Sequence, residues 1–443
     1  MPDYYSSPRI SGEWLDCSMP MTFDQYSNCG YNCLYCFATF QRGIGRASRN
    51  YWLKKVKRVN VEKFKKIFTE ADKHPSFAEL VKNKIVMQWG GMSDPFCPLE
   101  EEFGDGYKIL EFLNEIEYPC RFSSKTDLFL RNEKYFELIT RKPHLWFYMA
   151  SIITLDEKIA EKLEGNVPSP MDRFRNLKKL SDAGIYTTLR LRPYILGISD
   201  KDVEGLFKLA KWAGCKGVST EFFCLESRIT PSLQRKYDDL SALVGFDIVK
   251  FYKLGSKGAG YLRLNYEIKR KYIDQMVALA DKYDLKLFVS DSDHKDKSMG
   301  GSCCGLPMEN PILGNYQKSQ FTEALAIAKK NEDHTVKFSE VVNGTGEKWL
   351  KSILWYKAEG LNLGYTGKRQ KFKNFTLYDY MRFEWNNTKR ANSPFRYFDG
   401  VLYPIGLDEN KNIIYKLDLE KAKMTNKCLT CAGNCRYAGR KPC

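Results

Sequence analysis

The sequence predicts an α/β protein: a partial (β/α) barrel followed by an irregular, basic, cysteine-containing C-terminal extension. Three observations lead there. From about residue 20 to 290, strand-like and helix-like segments alternate, and repeated βα units imply a parallel sheet. After about residue 291 that alternation stops. The 443 residues, 43% hydrophobic and 28% charged, match ordinary globular composition and give ample length for two or three domains.

The strand candidates, in order, are 19–27, 85–89, 121–124, 145–153, 186–194, 217–223 and 286–290. Helical stretches fall near 61–73, 101–116, 132–140, 172–183, 200–213 and 266–284. The 172–183 stretch shows the signal. Asp172 can cap it, Phe174, Leu177 and Leu180 recur at helical spacing, and Gly184 can end it. Residues 224–265 interrupt the rhythm and read as an insertion in a barrel domain spanning 15–290. Residues 291–443 form a second region, with a Gly-, Ser- and Asp-rich loop first and aromatics interleaved with Lys and Arg over 349–398.

Lys plus Arg number 70 against 54 Asp plus Glu, a formal net charge of +16. Such a surplus attracts polyanions; nucleic acid is the commonest, with acidic membranes or a solvated Lys-rich surface as the other readings. No run of 18 apolar residues occurs, which excludes a transmembrane helix by hydropathy. The opening MPDYYSSPRISGEW has no charged-then-apolar signal pattern, so a reducing cytoplasm is expected, where clustered cysteines mean metal more often than disulfides.

The 14 cysteines are clustered. SNCGYNCLYCF places Cys29, Cys33 and Cys36 at the spacing CxxxCxxC, at the end of the first strand candidate. Three thiolates on a [4Fe–4S] cluster leave one iron open to a small molecule. A structural zinc site wants a fourth ligand, and Cys17, the nearest, lies before the strand at its opposite end.

On these residues the chain resembles the radical S-adenosylmethionine (SAM) superfamily, with Tyr35 at the aromatic position of CxxxCx(aromatic)C. QWGGMSDPFCPLE, FSSKTDLFLRN and SIITLDEKIAEKLEGNVPSPMDRFRNLKKLSDAG follow the next strands and resemble the spore photoproduct lyase-like branch, over about residues 15–290. The resemblance implies a partial β/α barrel of radical SAM type. It further implies a cluster held by Cys29, Cys33 and Cys36, SAM on its open iron, an external electron donor, and a 5′-deoxyadenosyl radical that abstracts a substrate hydrogen. By the same resemblance Gly90 and Gly91 lie against SAM, Ser93 and Asp94 near its amino group, Lys125 in contact with it, and Ser151 near its ribose. Independently, two glycines let backbone approach a ligand closely, Asp94 can offset an ammonium and Lys125 a carboxylate, with ordinary surface charge as the alternative for both. The chain departs from photoproduct lyases at Gly91, where they carry a hydrogen-donor cysteine, and at Phe37, where they carry a tyrosine; Cys97 lies nearby, beyond Asp94. That route of radical quenching is therefore not expected here. Arg190 and Arg192 alternate with Leu189 and Leu191 and so share one strand face, matched either by a substrate anion or by a structural acid.

KCLTCAGNCRYAGRKPC brings Cys428, Cys431, Cys435 and Cys443 together at CxxCxxxCx7C. Four thiolates suit a second [4Fe–4S] cluster, with zinc or free thiols as alternatives. Cys303 and Cys304 can lend a ligand to either site or simply pack as small side chains. Arg42, Arg46, Arg49, Lys54, Lys55, Lys57 and Arg58, with Tyr51 and Trp52 among them, lie in a stretch free of acids between Asp24 and Glu62. Lys421, Lys423, Lys427, Arg436, Arg440 and Lys441 form a second such stretch. Cations beside aromatics suit phosphate contact with base stacking, and a solvated face otherwise. The expected function is radical SAM modification of a nucleobase or its substituent in DNA or RNA. A peptide or small-molecule substrate is the alternative, and a non-catalytic metal-stabilised nucleic-acid-binding protein the third reading. No membrane partner is expected.

Overall fold

The computed structural model describes residues 8–10, 15–38, 55–258, 261–343, 345–355, 374–390, 392–398 and 400–421. Its strands are β1 (Arg9–Ile10), β2 (Met21–Phe23), β3 (Met87–Trp89), β4 (Cys120–Ser124), β5 (Trp146–Ser151), β6 (Tyr186–Tyr194) and β7 (Gly217–Phe222). There follow β8 (Leu225–Glu226), β9 (Ser256–Gly258), β10 (Tyr261–Arg263), β11 (Lys286–Val289), β12 (Thr335–Val336), β13 (Leu402–Leu407) and β14 (Ile413–Leu417). The main sheet has eight strands in the order β1-β2-β3-β4-β5-β6-β7-β11. The pairings from β2 to β11 are parallel, and β1 joins antiparallel at the β2 edge. All seven strand candidates of the sequence are strands of this sheet; β1, two residues long, is too short to carry a periodic signal.

Alternation along each strand gives the sheet two unlike faces. Outward, Phe23, Trp89, Phe122, Trp146 and Tyr148 are fully buried beneath the crossover helices, with Trp89 to Phe122 at 5.4 Å and Phe122 to Trp146 at 5.6 Å between ring centroids. Inward, the N-terminal half is apolar: Met19, Val86, Phe147 and Met149 pack on Cys304, Leu306, Leu313 and Tyr316. The segment supplying those partners is stitched under the sheet by Met299 N–H to Leu287 O (2.8 Å), Val86 N–H to Asn315 O (3.0 Å) and Gln317 N–H to Ser18 O (2.7 Å). The base of the barrel is thus plugged, and polar side chains occupy its C-terminal half.

The helices differ from expectation in detail. The 101–116 stretch is two helices, Pro98–Phe103 and Asp105–Glu115, separated at Gly104. Helices Pro75–Lys82 and Glu157–Glu164 escape the sequence pattern. The 172–183 helix starts earlier, at Pro170, and its cap is Ser169 rather than Asp172: Ser169 Oγ accepts the Asp172 N–H at 3.1 Å. Proline at the first helical position has no N–H to satisfy, which moves the start upstream. The 224–265 insertion folds as helices Pro231–Val244 and Ile248–Tyr252 beside a small sheet in the order β8-β10-β9. Beyond 291 the described residues include helices such as Glu323–Lys330 and Leu377–Trp385 and a sheet in the order β12-β14-β13. No helix among the described residues is long and apolar enough to cross a membrane.

Because Ser169 is the cap, Ser169→Ala is expected to lower stability by about 1 kcal/mol in urea unfolding, and Asp172→Ala by less. The reverse order would return the cap to Asp172.

Candidate active site

The chain leaving β2 is fastened to the chain leaving β3. Asp24 Oδ1 accepts the N–H groups of Met92 (2.7 Å) and Ser93 (2.8 Å), while Oδ2 pairs with Arg9 at 2.6 Å. Gln25 accepts from the Trp89 indole at 2.8 Å and donates to Pro95 O at 2.6 Å. These buried side chains fix the take-off of the cysteine loop, in which Cys33 is buried and Cys29 and Cys36 are half-buried. The loop is held across to the helix Glu157–Glu164 by Leu34 N–H to Leu163 O at 2.7 Å.

The three thiols are electrostatic neighbours. Burial pushes the Cys29 thiol up to about 12, the Cys36 sulfur adds to this, and the backbone N–H groups of Tyr31 and Asp94 pull the other way. Burial also raises Cys33, opposed by the Lys125 ammonium. Burial thus favours the uncharged thiols, and a bound metal would reverse that preference. Among the described residues no three His, Cys, Asp or Glu side chains converge on one metal ion.

Tyr35 is the loop's anchor. Its hydroxyl donates to Glu164, and Glu164 pairs with Arg173 at 2.7 Å, both side chains being 2% exposed or less. Arg173 then donates to the Ser151 carbonyl at the end of β5, also at 2.7 Å. A buried relay therefore joins the cysteine loop to the sheet through two helices. Sequence reasoning misses Glu164, Arg173 and Asp24, because each acts through partners distant in the chain.

The remaining candidates gather at the same edge. Asp94 is buried; its Oδ1 accepts from Ser124 Oγ (2.7 Å) and Phe96 N–H (3.0 Å), and its Oδ2 from Lys125 N–H (2.7 Å). Burial raises its carboxyl, and these donors oppose the rise. The Lys125 ammonium lies 5.7 Å from the Tyr35 ring centroid, and the charges of Cys33, Glu164 and Asp94 raise it despite burial. Ser151 Oγ accepts from Arg190 at 3.3 Å. At Gly90, with φ +90°, a Cβ would fall 2.6 Å from the Pro95 ring, and at Gly91 one would fall 2.5 Å from Thr22 Oγ1. Both glycines are thus required by the protein's own packing, whatever else approaches them.

Other expectations change. Arg58 forms two hydrogen bonds of 2.7 Å with Asp105 and covers the Phe103 ring at 4.3 Å, so it is a structural cation and not a free phosphate contact. Cys303 and Cys304 sit inside the barrel with Arg121 and Arg192, away from the cysteine loop. Cys97 is fully buried and lies within electrostatic reach of Cys29 and Asp94. Phe37 is 46% exposed. Arg42, Arg46, Arg49, Tyr51, Trp52 and Lys54 lie outside the described residues, as do Lys423, Lys427, Cys428, Cys431, Cys435, Arg436, Arg440, Lys441 and Cys443; Lys55 and Lys57 are exposed.

No protein-family model matches the chain, and no curated protein matches it. Among solved structures it is similar to a spore photoproduct lyase mutant with bound AdoMet and dinucleoside spore photoproduct: 16% identity, 62% of this chain against 78% of that one, TM-score 0.47. A second such lyase structure is 17% identical over 62% of this chain and 76% of that one, TM-score 0.46. The radical S-adenosylmethionine methyltransferase TsrM from Kitasatospora setae, with cobalamin and a [4Fe–4S] cluster bound, is 8% identical over 50% of this chain and 39% of that one, TM-score 0.34. The site is therefore read from this chain's own residues.

Removing one member of a buried ion pair leaves the other uncompensated. Glu164→Ala is expected to destabilise the protein by about 3–5 kcal/mol in chemical denaturation, and Tyr35→Phe by about 1–3 kcal/mol. Equal, small losses would show that Arg173 finds another partner.

Proposed function

We propose that the chain is a radical SAM enzyme that modifies or rearranges a nucleobase or its substituent in DNA or RNA. The observation that carries the reading is the CxxxCxxC loop at the C-terminal end of β2, with neighbouring thiols anchored through Tyr35 and facing Asp94 and Lys125. Cys29, Cys33 and Cys36 would hold a [4Fe–4S] cluster with SAM beside it. When bound, the two supply a hydrogen-abstracting 5′-deoxyadenosyl radical.

The chain's own residues do the rest. Lys125 offers its ammonium to the SAM carboxylate, since Asp94 holds its backbone in place. Asp94 uses both oxygens to set Ser124, Phe96 and Lys125, so it shapes the loop near the SAM amino group, and Ser93, whose hydroxyl donates to Asp24 Oδ1 at 3.3 Å, keeps an oxygen lone pair to accept from that amino group. Ser151 stands at the ribose with Arg190 on its hydroxyl. The plugged base leaves the C-terminal edge as the approach for substrate. A base in a duplex would have to be flipped out or presented single-stranded. The nucleic-acid part rests on the +16 net charge and the basic stretch that includes exposed Lys55 and Lys57.

If the cysteine roles are as proposed, anaerobic reconstitution should load about eight irons per chain with two cubanes. The Cys29/Cys33/Cys36 triple-Ala variant should lose about four of them together with 5′-deoxyadenosine formation, and a Cys428/Cys431 double-Ala variant should lose about four while still cleaving SAM. Undiminished SAM cleavage by the triple variant would sink the assignment; one zinc with four irons would make the C-terminal site structural.

Oligonucleotide affinity should fall with salt by about 0.7 log units per contact per decade for single strands and about 0.9 for duplex. Charge reversal of Arg49, Lys54 and Lys55 should flatten that slope, read by fluorescence anisotropy. Salt-insensitive or undetectable binding favours the peptide or small-molecule substrate.

A further inference from the structure

Three arginines project from two strands into the polar half of the barrel. Arg121 of β4 is 3% exposed, and Arg190 and Arg192 of β6 are half-buried. Their recorded partners do not use all their donors. Arg121 donates one Nη2 bond to Cys304 Sγ at 3.0 Å, Arg190 donates to Ser151 Oγ and Arg192 O at 3.3 Å, and Arg192 pairs with Glu221. Arg121 Nε and Nη1, Arg190 Nε and Arg192 Nε are buried with no hydrogen-bond partner. An unmatched buried guanidinium nitrogen is costly, so such a set calls for an acceptor.

The charges point the same way. Against three guanidiniums stand two acids. The Cys304 thiol is pulled down to about 5 by the hydrogen bond from Cys303 and by Arg121 and Arg192, against burial. Glu221 is held below its ordinary value by Arg192, also against burial. One positive charge remains over, and Arg263 of the insertion also draws on Glu221. Burial and the Arg192 and Arg121 charges push Arg190 down to about 9, the mark of an under-neutralised cluster. Solvent reaches this end of the barrel, for the Glu221 side chain is 45% exposed and that of Arg192 is 15% exposed.

We infer that Arg121, Arg190 and Arg192 form a phosphate subsite inside the barrel, so that the substrate carries a phosphate group beside the reacting centre. Free nitrogens on three side chains from two strands suit a tetrahedral acceptor better than a planar carboxylate, and guanidinium forks are the preferred phosphate donors. The inference rests on the proposed catalytic role of this edge, and deepens it by naming what the substrate brings.

Mass-mapped phenylglyoxal labelling of the reconstituted wild-type protein tests it, with inorganic phosphate and acetate as probes at matched ionic strength. Phosphate at about ten times its dissociation constant should slow labelling of Arg190 and Arg192 roughly tenfold, by mass action. Labelling of the exposed Arg175 and Arg270 should be unchanged, and acetate should protect little. Calorimetry should show Arg192→Gln weakening phosphate binding about tenfold or more, as a lost charge-assisted hydrogen bond requires. Equal or better protection by acetate would overturn the phosphate in favour of a carboxylate, and no protection by either would overturn the subsite. SAM cleavage scored in the same preparation separates the two proposals: it can fail while phosphate protects, or persist while phosphate does not.

Discussion

Glu164 and Arg173 are withdrawn from water at a separation of 2.7 Å, and either charge alone there would be costly. The pair exists because further donors and acceptors complete it: the Tyr35 hydroxyl on one side and the Ser151 carbonyl on the other. This closes a circuit from the cysteine loop, through the helices Glu157–Glu164 and Pro170–Asp182, to the C-terminal end of β5. A loop carrying three cysteines would otherwise be free to fray. Tied in this way, it presents its thiols where Lys125 and Asp94 also arrive.

Much of the scaffold was legible because its signals are local. Leu189 and Leu191 alternating with Arg190 and Arg192 announce a strand with one apolar and one polar face, and β6 has that form. Gly184 and the Phe174, Leu177 and Leu180 spacing announce a helix, and only its cap moved, from Asp172 to Ser169. The cysteine spacing is equally local. What was illegible depends on contact between distant residues: Tyr35 and Glu164 are 129 positions apart, and Arg121 and Cys304 are 183 apart. No period or spacing encodes such pairs. Arg58 shows the converse failure, since composition counts it as a free cation and Asp105 claims it.

The two faces of the sheet also explain why Cys303 and Cys304 stand apart from the loop of Cys29, Cys33 and Cys36. They ride on the segment that plugs the barrel, with Ser219 donating to the Cys303 carbonyl at 2.8 Å. Cys304 packs among Phe147, Met149 and Leu306, yet its sulfur accepts from Arg121. It marks the boundary between the apolar base and the charged upper half, and by accepting from Arg121 it ties that side chain across the boundary.

That boundary sets the character of whatever enters. Helices close the outer face and the 299–317 segment closes the base, leaving the C-terminal edge as the approach. Cations collect there from separate elements: Lys125 after β4, Arg190 and Arg192 on β6, Arg263 on β10, and Lys236 on the inserted helix Pro231–Val244. Burial lowers Lys236, and the nearby Cys36, Glu226 and Cys33 hold it up, so the insertion stands close to the cysteine loop. A cationic substrate would meet like charge here, whereas an anionic one would meet guanidinium nitrogens of Arg121, Arg190 and Arg192 that are buried without a hydrogen-bond partner. The insertion therefore brings positive charge to the mouth of the barrel, in keeping with the phosphate subsite proposed inside it.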